Sequence, residues 1–120
     1  MQWLMIGLGA ALGAMLRGWL SRFNTLHPWL PIGTLSANIL GGLLMGLALA
    51  VTERLNPSLK FFITTGFLGG LTTFSTFSAE TFGLLQQGKI FPAVVLVLMH
   101  VSLTLATTAL GFFLIKPLVS

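Results

Sequence analysis

Residues 67–78 read FLGGLTTFSTFS. A pair of glycines and Leu71 precede seven positions, 72–78, that hold five hydroxyl residues and two phenylalanines. The stretch lies within an apolar run, Phe61 to Leu85, whose 25 residues suffice for a bilayer span. A hydrocarbon core is ~30 Å thick and a helix rises ~1.5 Å per residue. Adjacent glycines followed by two β-branched threonines make a locally poor helix. In mid-membrane a break frees carbonyls and amides, tolerated only where protein buries them or where they bind something. The carbonyl ends of discontinuous membrane helices face cations, and their amide ends favour anions. The pattern therefore predicts a span broken near its centre, around Gly69–Thr72.

Outward from this stretch, three more apolar segments follow the same rule: Trp3 to Leu20, Ile32 to Val51 and Pro92 to Ile115. With the broken one, each of the four holds 18 to 25 residues. Short polar connections at His27-Pro28, Asn56-Pro57 and Gln86–Gly88 separate them. Trp3, Trp19 and Trp29 fall near the expected interfaces, where amphipathic rings anchor. The chain of 120 residues is 55% apolar and 7% charged, against about a quarter charged in a soluble domain. Its mean hydropathy is +0.97. The expectation is an all-α membrane protein, a single four-helix transmembrane domain over 1–120. The first segment does not read as a signal peptide, because no basic region precedes it and Arg17 falls where cleavage would occur. Cysteine is absent, which removes disulfides and thiol chemistry. Six basic and two acidic residues give a net charge of +4, scattered along the chain. That distribution argues against nucleic acid and suits a mild preference for anions.

Four spans place both termini on one side, with Arg54, Lys60 and Lys116. Arg22 and Lys89 lie on the other side, with Arg17 close to it. The Lys/Arg difference that orients short loops is nearly zero. Either another determinant sets orientation, or copies insert both ways and pair as an antiparallel two-fold dimer.

By depth, Arg17, Asn38, Phe74, Phe77, Glu80 and His100 share one leaflet, with Thr104 near the midplane and Thr108 beyond it. Polar membrane residues face a bundle interior or a watery cavity, and are functional candidates by default. Arg17 fits either snorkelling to the interface or an electropositive vestibule. Asn38 fits an interhelical hydrogen bond or a neutral donor to an anion. Glu80 and His100 read as a polar pair bonded to each other. His100, Thr104 and Thr108 form an i, i+4, i+8 stripe that either bonds back to its own helix or lines a path. Phe74 and Phe77 share a face, as core packing or as electropositive ring edges toward an anion. Gly9 and Gly13, Gly42 and Gly46, and Gly66 and Gly70 match the close-packing spacing of membrane helices. Nothing in the sequence assembles an enzyme's acid, base and nucleophile. A small dual-topology multidrug or cation exporter would need a carboxylate in the first helix, where Arg17 stands instead.

GFLGGLTTFSTFSAE, residues 66–80, resembles the signature of the Fluc (CrcB) family of fluoride channels. GAMLRGWLS at 13–21, GTLSAN at 33–38 and HVSLTLATTALGFF at 100–113 resemble the family's other helices. The resemblance implies an antiparallel, dual-topology homodimer in the bacterial inner membrane that lets fluoride leave the cytoplasm through two pores. It implies a central sodium ion (Na+) held by the backbone carbonyls of Gly69 and Thr72, a hard cation suited to oxygen ligands. Phe74 and Phe77 then correspond to pore rings, Asn38 to a pore amide and Arg17 to a vestibule arginine. Ser75, Thr76, Thr104 and Thr108 correspond to polar groups along the pathway, with Glu80 and His100 supporting. The implied partners are fluoride, the lipid bilayer and a second copy of the chain.

Overall fold

A computed structural model describes residues 1–119, and all regular structure among them is helical. Helix α1 spans Gln2–Leu20 and runs into a short 3-10 segment, Ser21–Leu26. Helix α2 spans Ile32–Val51. Helix α3 covers 57–71 in three windings: an α turn Pro57–Lys60, a π-helical stretch Phe61–Leu68, and a last turn Gly69–Leu71. Helix α4 is Ser75–Gln86, and α5 is Ile90–Val119.

Local chemistry explains the ends. Asn56 caps α3, its Oδ1 accepting from Leu59 N at 2.8 Å, with Pro57 at the first helical position. The turn after α4 needs Gly88, whose φ of 76° is the left-handed conformation that closes a helix. There Lys89 N donates to Leu84 O at 2.8 Å and Gly88 N to Leu85 O at 3.0 Å, satisfying carbonyls that α4 would leave open. At the start of α2, Thr34 N donates to Asn24 Oδ1 at 2.9 Å.

Two seams of small residues pack the helices. Along α1–α3, a Cβ on Gly13 would lie 2.7 Å from Leu71 N, and one on Gly70 would lie 3.0 Å from Ala10 Cα. Gly9 sits against the Phe62 carbonyl and the Phe67 amide, groups one π turn apart. Along α2–α5, a Cβ on Gly42 would meet Thr107 Oγ1 at 2.8 Å, and one on Gly46 would meet Phe112 N at 2.8 Å. Backbone meets backbone in both, so van der Waals contact replaces the hydrophobic drive that lipid does not supply. One apolar cluster (Ala37, Ala48, Leu68, Leu71) lies between α2 and α3, and another (Phe77, Leu84, Ala93, Leu96) between α4 and α5.

Leu8, Leu12, Leu98, Leu105, Leu110 and Phe113 are exposed on the outside. Among the described residues three helical stretches are long and apolar enough to cross a membrane: Gln2–Leu26, Ile32–Arg54 and Ile90–Val119. The chain is a helical membrane protein. The segment from Phe61 to Leu85, expected to break around Gly69–Thr72, is divided between α3 and α4, but Gly69–Leu71 stay helical and the interruption falls at 72–74. Neither helix reaches spanning length alone.

Candidate functional site: the groove where α3 stops

Helix α3 ends because Thr72 is extended, with φ −84° and ψ 155°. Helix α4 resumes at Ser75. The side chain of Asn38, from α2, fills the gap as a strand's peptide would. Its Oδ1 accepts from Thr73 N at 2.8 Å, and its Nδ2 donates to Thr73 O at 3.1 Å. In an unbroken helix Thr73 N would go to the Gly69 carbonyl, and Thr76 N to the Thr72 carbonyl. Thr76 N instead goes to Thr73 Oγ1 at 3.1 Å. The carbonyls of Gly69 and Thr72 therefore lose their helical donors. Leu68 O keeps partners, taking Thr72 N at 3.0 Å and Thr72 Oγ1 at 2.8 Å. Gly70 O accepts from Arg17 Nε at 3.0 Å.

Asn38 also faces α5. Its Nδ2 lies 3.1 Å from His100 Nδ1, so both amide hydrogens are engaged within the chain. That contact assigns Nδ1 as the acceptor and leaves the imidazole proton on Nε2. His100 is 4% exposed and packs on the Phe77 ring, centroids 4.5 Å apart. Phe77 is 8% exposed; its neighbour Phe74 is 78% exposed and meets it edge to face at 5.5 Å. Asn38, Thr72, Phe74, Phe77, His100 and Thr104 line a groove of ≈ 390 Å³. The groove continues past both rings into a second hollow of ≈ 480 Å³ beside Ser78, Thr81 and Val97. No Lys or Arg lines either.

The groove thus gathers Asn38, Phe74, Phe77, His100 and Thr104, and leaves other expected residues at its edge. Ser75 is exposed beside it, with Oγ 3.4 Å from Thr73 Oγ1, and Thr76 is half-buried. Thr108 Oγ1 donates to Thr104 O at 2.9 Å within its own helix. Glu80 and His100 do not bond each other, contrary to the expected pair. Glu80 Oε2 accepts from Thr34 Oγ1 at 2.8 Å while His100 meets Asn38, because α2 offers each a nearer partner one helical turn apart. Glu80 Oε1 and His100 Nε2 are buried without a protein partner. Among the described residues no three of His, Cys, Asp and Glu gather as metal ligands.

Sequence reasoning missed Thr34, Thr73 and Thr107. Thr34 stands four residues before Asn38 on the same face and was legible in that spacing. Thr73 caps α4, and Thr107 Oγ1 ties α5 to α2 through Ile39 O at 3.0 Å. Nothing in the local sequence separates Thr107 from Thr104 or Thr108.

Long apolar helices, an interrupted helical path and an uncharged polar groove define a membrane protein of the channel or transporter class. The chain belongs to the CrcB family: the model of the family described as "CrcB-like protein, Camphor Resistance (CrcB)" matches residues 4–112. A Psychrobacter arcticus protein named "Fluoride-specific ion channel FluC" is 62% identical over 120 residues, covering 97% of this chain and 98% of that protein. An Escherichia coli O1:K1 protein of the same name is 54% identical, covering 92% of this chain and 91% of its own length. A third, from Chromobacterium violaceum, is 50% identical over 90% of this chain and 89% of that protein.

Proposed function

We propose that this chain is a passive, fluoride-selective channel of the bacterial inner membrane, working as an antiparallel dual-topology homodimer with two pores. The observation that carries the proposal is the groove, in which ring edges, an amide and hydroxyls converge with no fixed cation. Fluoride is small and strongly hydrated, so its lost water must be replaced by groups that hold it without trapping it. A lysine or arginine inside the path would bind too tightly for rapid passage. Phe74 and Phe77 offer electropositive edges, and Thr104 a hydroxyl in the groove wall. Ser75, Thr76 and Thr108 extend the polar lining. Asn38 holds the backbone of the path in place and releases a hydrogen toward the ion only by leaving Thr73 O or His100. The names of the relatives support fluoride as the ion.

In this reading α3 and α4 together form the third of four spans, broken at 72–74. Gly69 supports a second copy at the break. A Cβ there would find only Thr64 O, at 3.8 Å, so nothing among the described residues requires a glycine. The freed carbonyls of Gly69 and Thr72 fit a sodium ion, which supplies positive charge to paired carbonyl dipoles. Gly69→Leu is accordingly expected to abolish dimers by size exclusion while the monomer stays helical. Thr72→Ala, which leaves the carbonyl in place, retains dimers; loss of cation binding in Thr72→Ala alone would refute the backbone assignment.

Fluoride efflux from liposomes holding the purified chain tests the function, with an expected flux that needs no proton gradient. Flux that requires one would instead indicate an exporter. Single-cysteine labelling at the termini is expected to reach both sides of the membrane; labelling from one side only would exclude dual topology.

A further inference from the structure

Arg17 does not point away from the protein. Gly9, Gly13 and Arg17 follow at i, i+4 and i+8, so Arg17 continues the glycine face that packs on α3. One turn past the Gly13 contact with Leu71 N, its Nε donates to the Gly70 carbonyl at 3.0 Å. That carbonyl belongs to the last turn of α3, where an interrupted helix leaves acceptors open and the helix dipole is negative. Three residues on, Asn38 grips Thr73 through both its N–H and its C=O. The extended residue Thr72 is therefore held between two side chains, one from α1 and one from α2.

We propose that Arg17 is a positioning residue: its Nε–H fixes the carbonyl end of α3 and so sets where the break and the Phe74–Phe77 groove lie. This rests on the channel reading above for its effect on transport, and on the hydrogen bond alone for its effect on the break. A vestibule arginine acts through charge, whereas this role needs a donor at one position on the side chain. Glutamine carries an N–H the same number of bonds from Cα as Arg Nε, without charge. Lysine keeps the charge and has a methylene at that position. The two roles therefore rank the two substitutions in opposite orders.

The test compares Arg17→Gln and Arg17→Lys in the full chain. Fluoride efflux from liposomes and hydrogen exchange at the Thr73 and Thr76 amides are both measured. Loss of a charge-assisted hydrogen bond corresponds to a fall of about tenfold or more, expected for Arg17→Lys, with faster exchange confined to 72–76. Arg17→Gln is expected to stay within about threefold of wild type with near-normal exchange. Higher flux in Arg17→Lys than in Arg17→Gln would overturn the proposal, as would slowed flux in Arg17→Lys with unchanged exchange. Exchange that rises throughout α1 and α3 would mean general packing and would also overturn it. If Arg17→Lys fails to fold, Arg17→Gln alone decides: wild-type exchange at 72–76 supports the clamp, and accelerated exchange refutes it. A wild-type chain that passes no fluoride would refute the channel reading, while the exchange arm would still decide the clamp.

Discussion

The α1–α3 and α2–α5 seams share one spacing and end on different chemistry. In α1 the face runs Gly9, Gly13, Arg17; in α2 it runs Thr34, Asn38, Gly42, Gly46. Each glycine pair brings backbones into contact, so neither pair has room for a Cβ. The first seam is nearly all backbone and finishes on one donor, Arg17 Nε, at the end of α3. The second carries a file of polar side chains: Thr34 to Glu80, Asn38 to Thr73 and His100, and Thr107 to Ile39 O. Close packing alone gives rigidity; close packing interleaved with polar groups also gives a lined groove. Both seams hold the break, through Arg17 and Asn38, and the second also lines the groove.

The largest test of that division replaces the glycines themselves. Gly13→Leu and Gly46→Leu each drive a side chain into backbone, and each is expected to cost ~3 kcal/mol or more. Thermal unfolding in detergent measures this, and a tolerated Gly13→Leu beside an unfolded Gly46→Leu would break the equivalence of the seams. Asn38→Leu follows, at about 2–4 kcal/mol, because it strips partners from both the N–H and the C=O of Thr73. Faster exchange at Thr73 in that variant would show that the loss falls on the break. In transport, Phe77→Ile keeps an apolar side chain and removes the ring edge. Efflux is expected to fall by about tenfold or more in protein that still assembles. Normal flux in an assembled Phe74→Ile, Phe77→Ile double variant would leave both rings as packing. Smallest is Thr108→Ala, whose lost hydroxyl bonds only within α5, with an expected change of ~0.5 kcal/mol or less. A large flux defect there would move Thr108 from its own backbone to the pathway.

Much of this was legible in residues 66–80. The weak helix at GGLTT and the shared face of Phe74 and Phe77 follow from propensity and period; the groove uses both rings and the two threonines, while Gly69 and Gly70 stay helical. The glycine spacings predicted packing, and each pair meets a neighbouring backbone. The expected Glu80–His100 bond failed because similar depth on neighbouring helices does not reveal a third helix with better-placed partners. Helical period fixes which residues share a face, and apolar run length fixes which segments can enter a bilayer; both are local, so the sequence by itself determined them. Tertiary structure alone decided what each face meets. A guanidinium or an amide has several donors and many possible acceptors, and only the packed neighbour selected Gly70 O for Arg17 and Thr73 with His100 for Asn38.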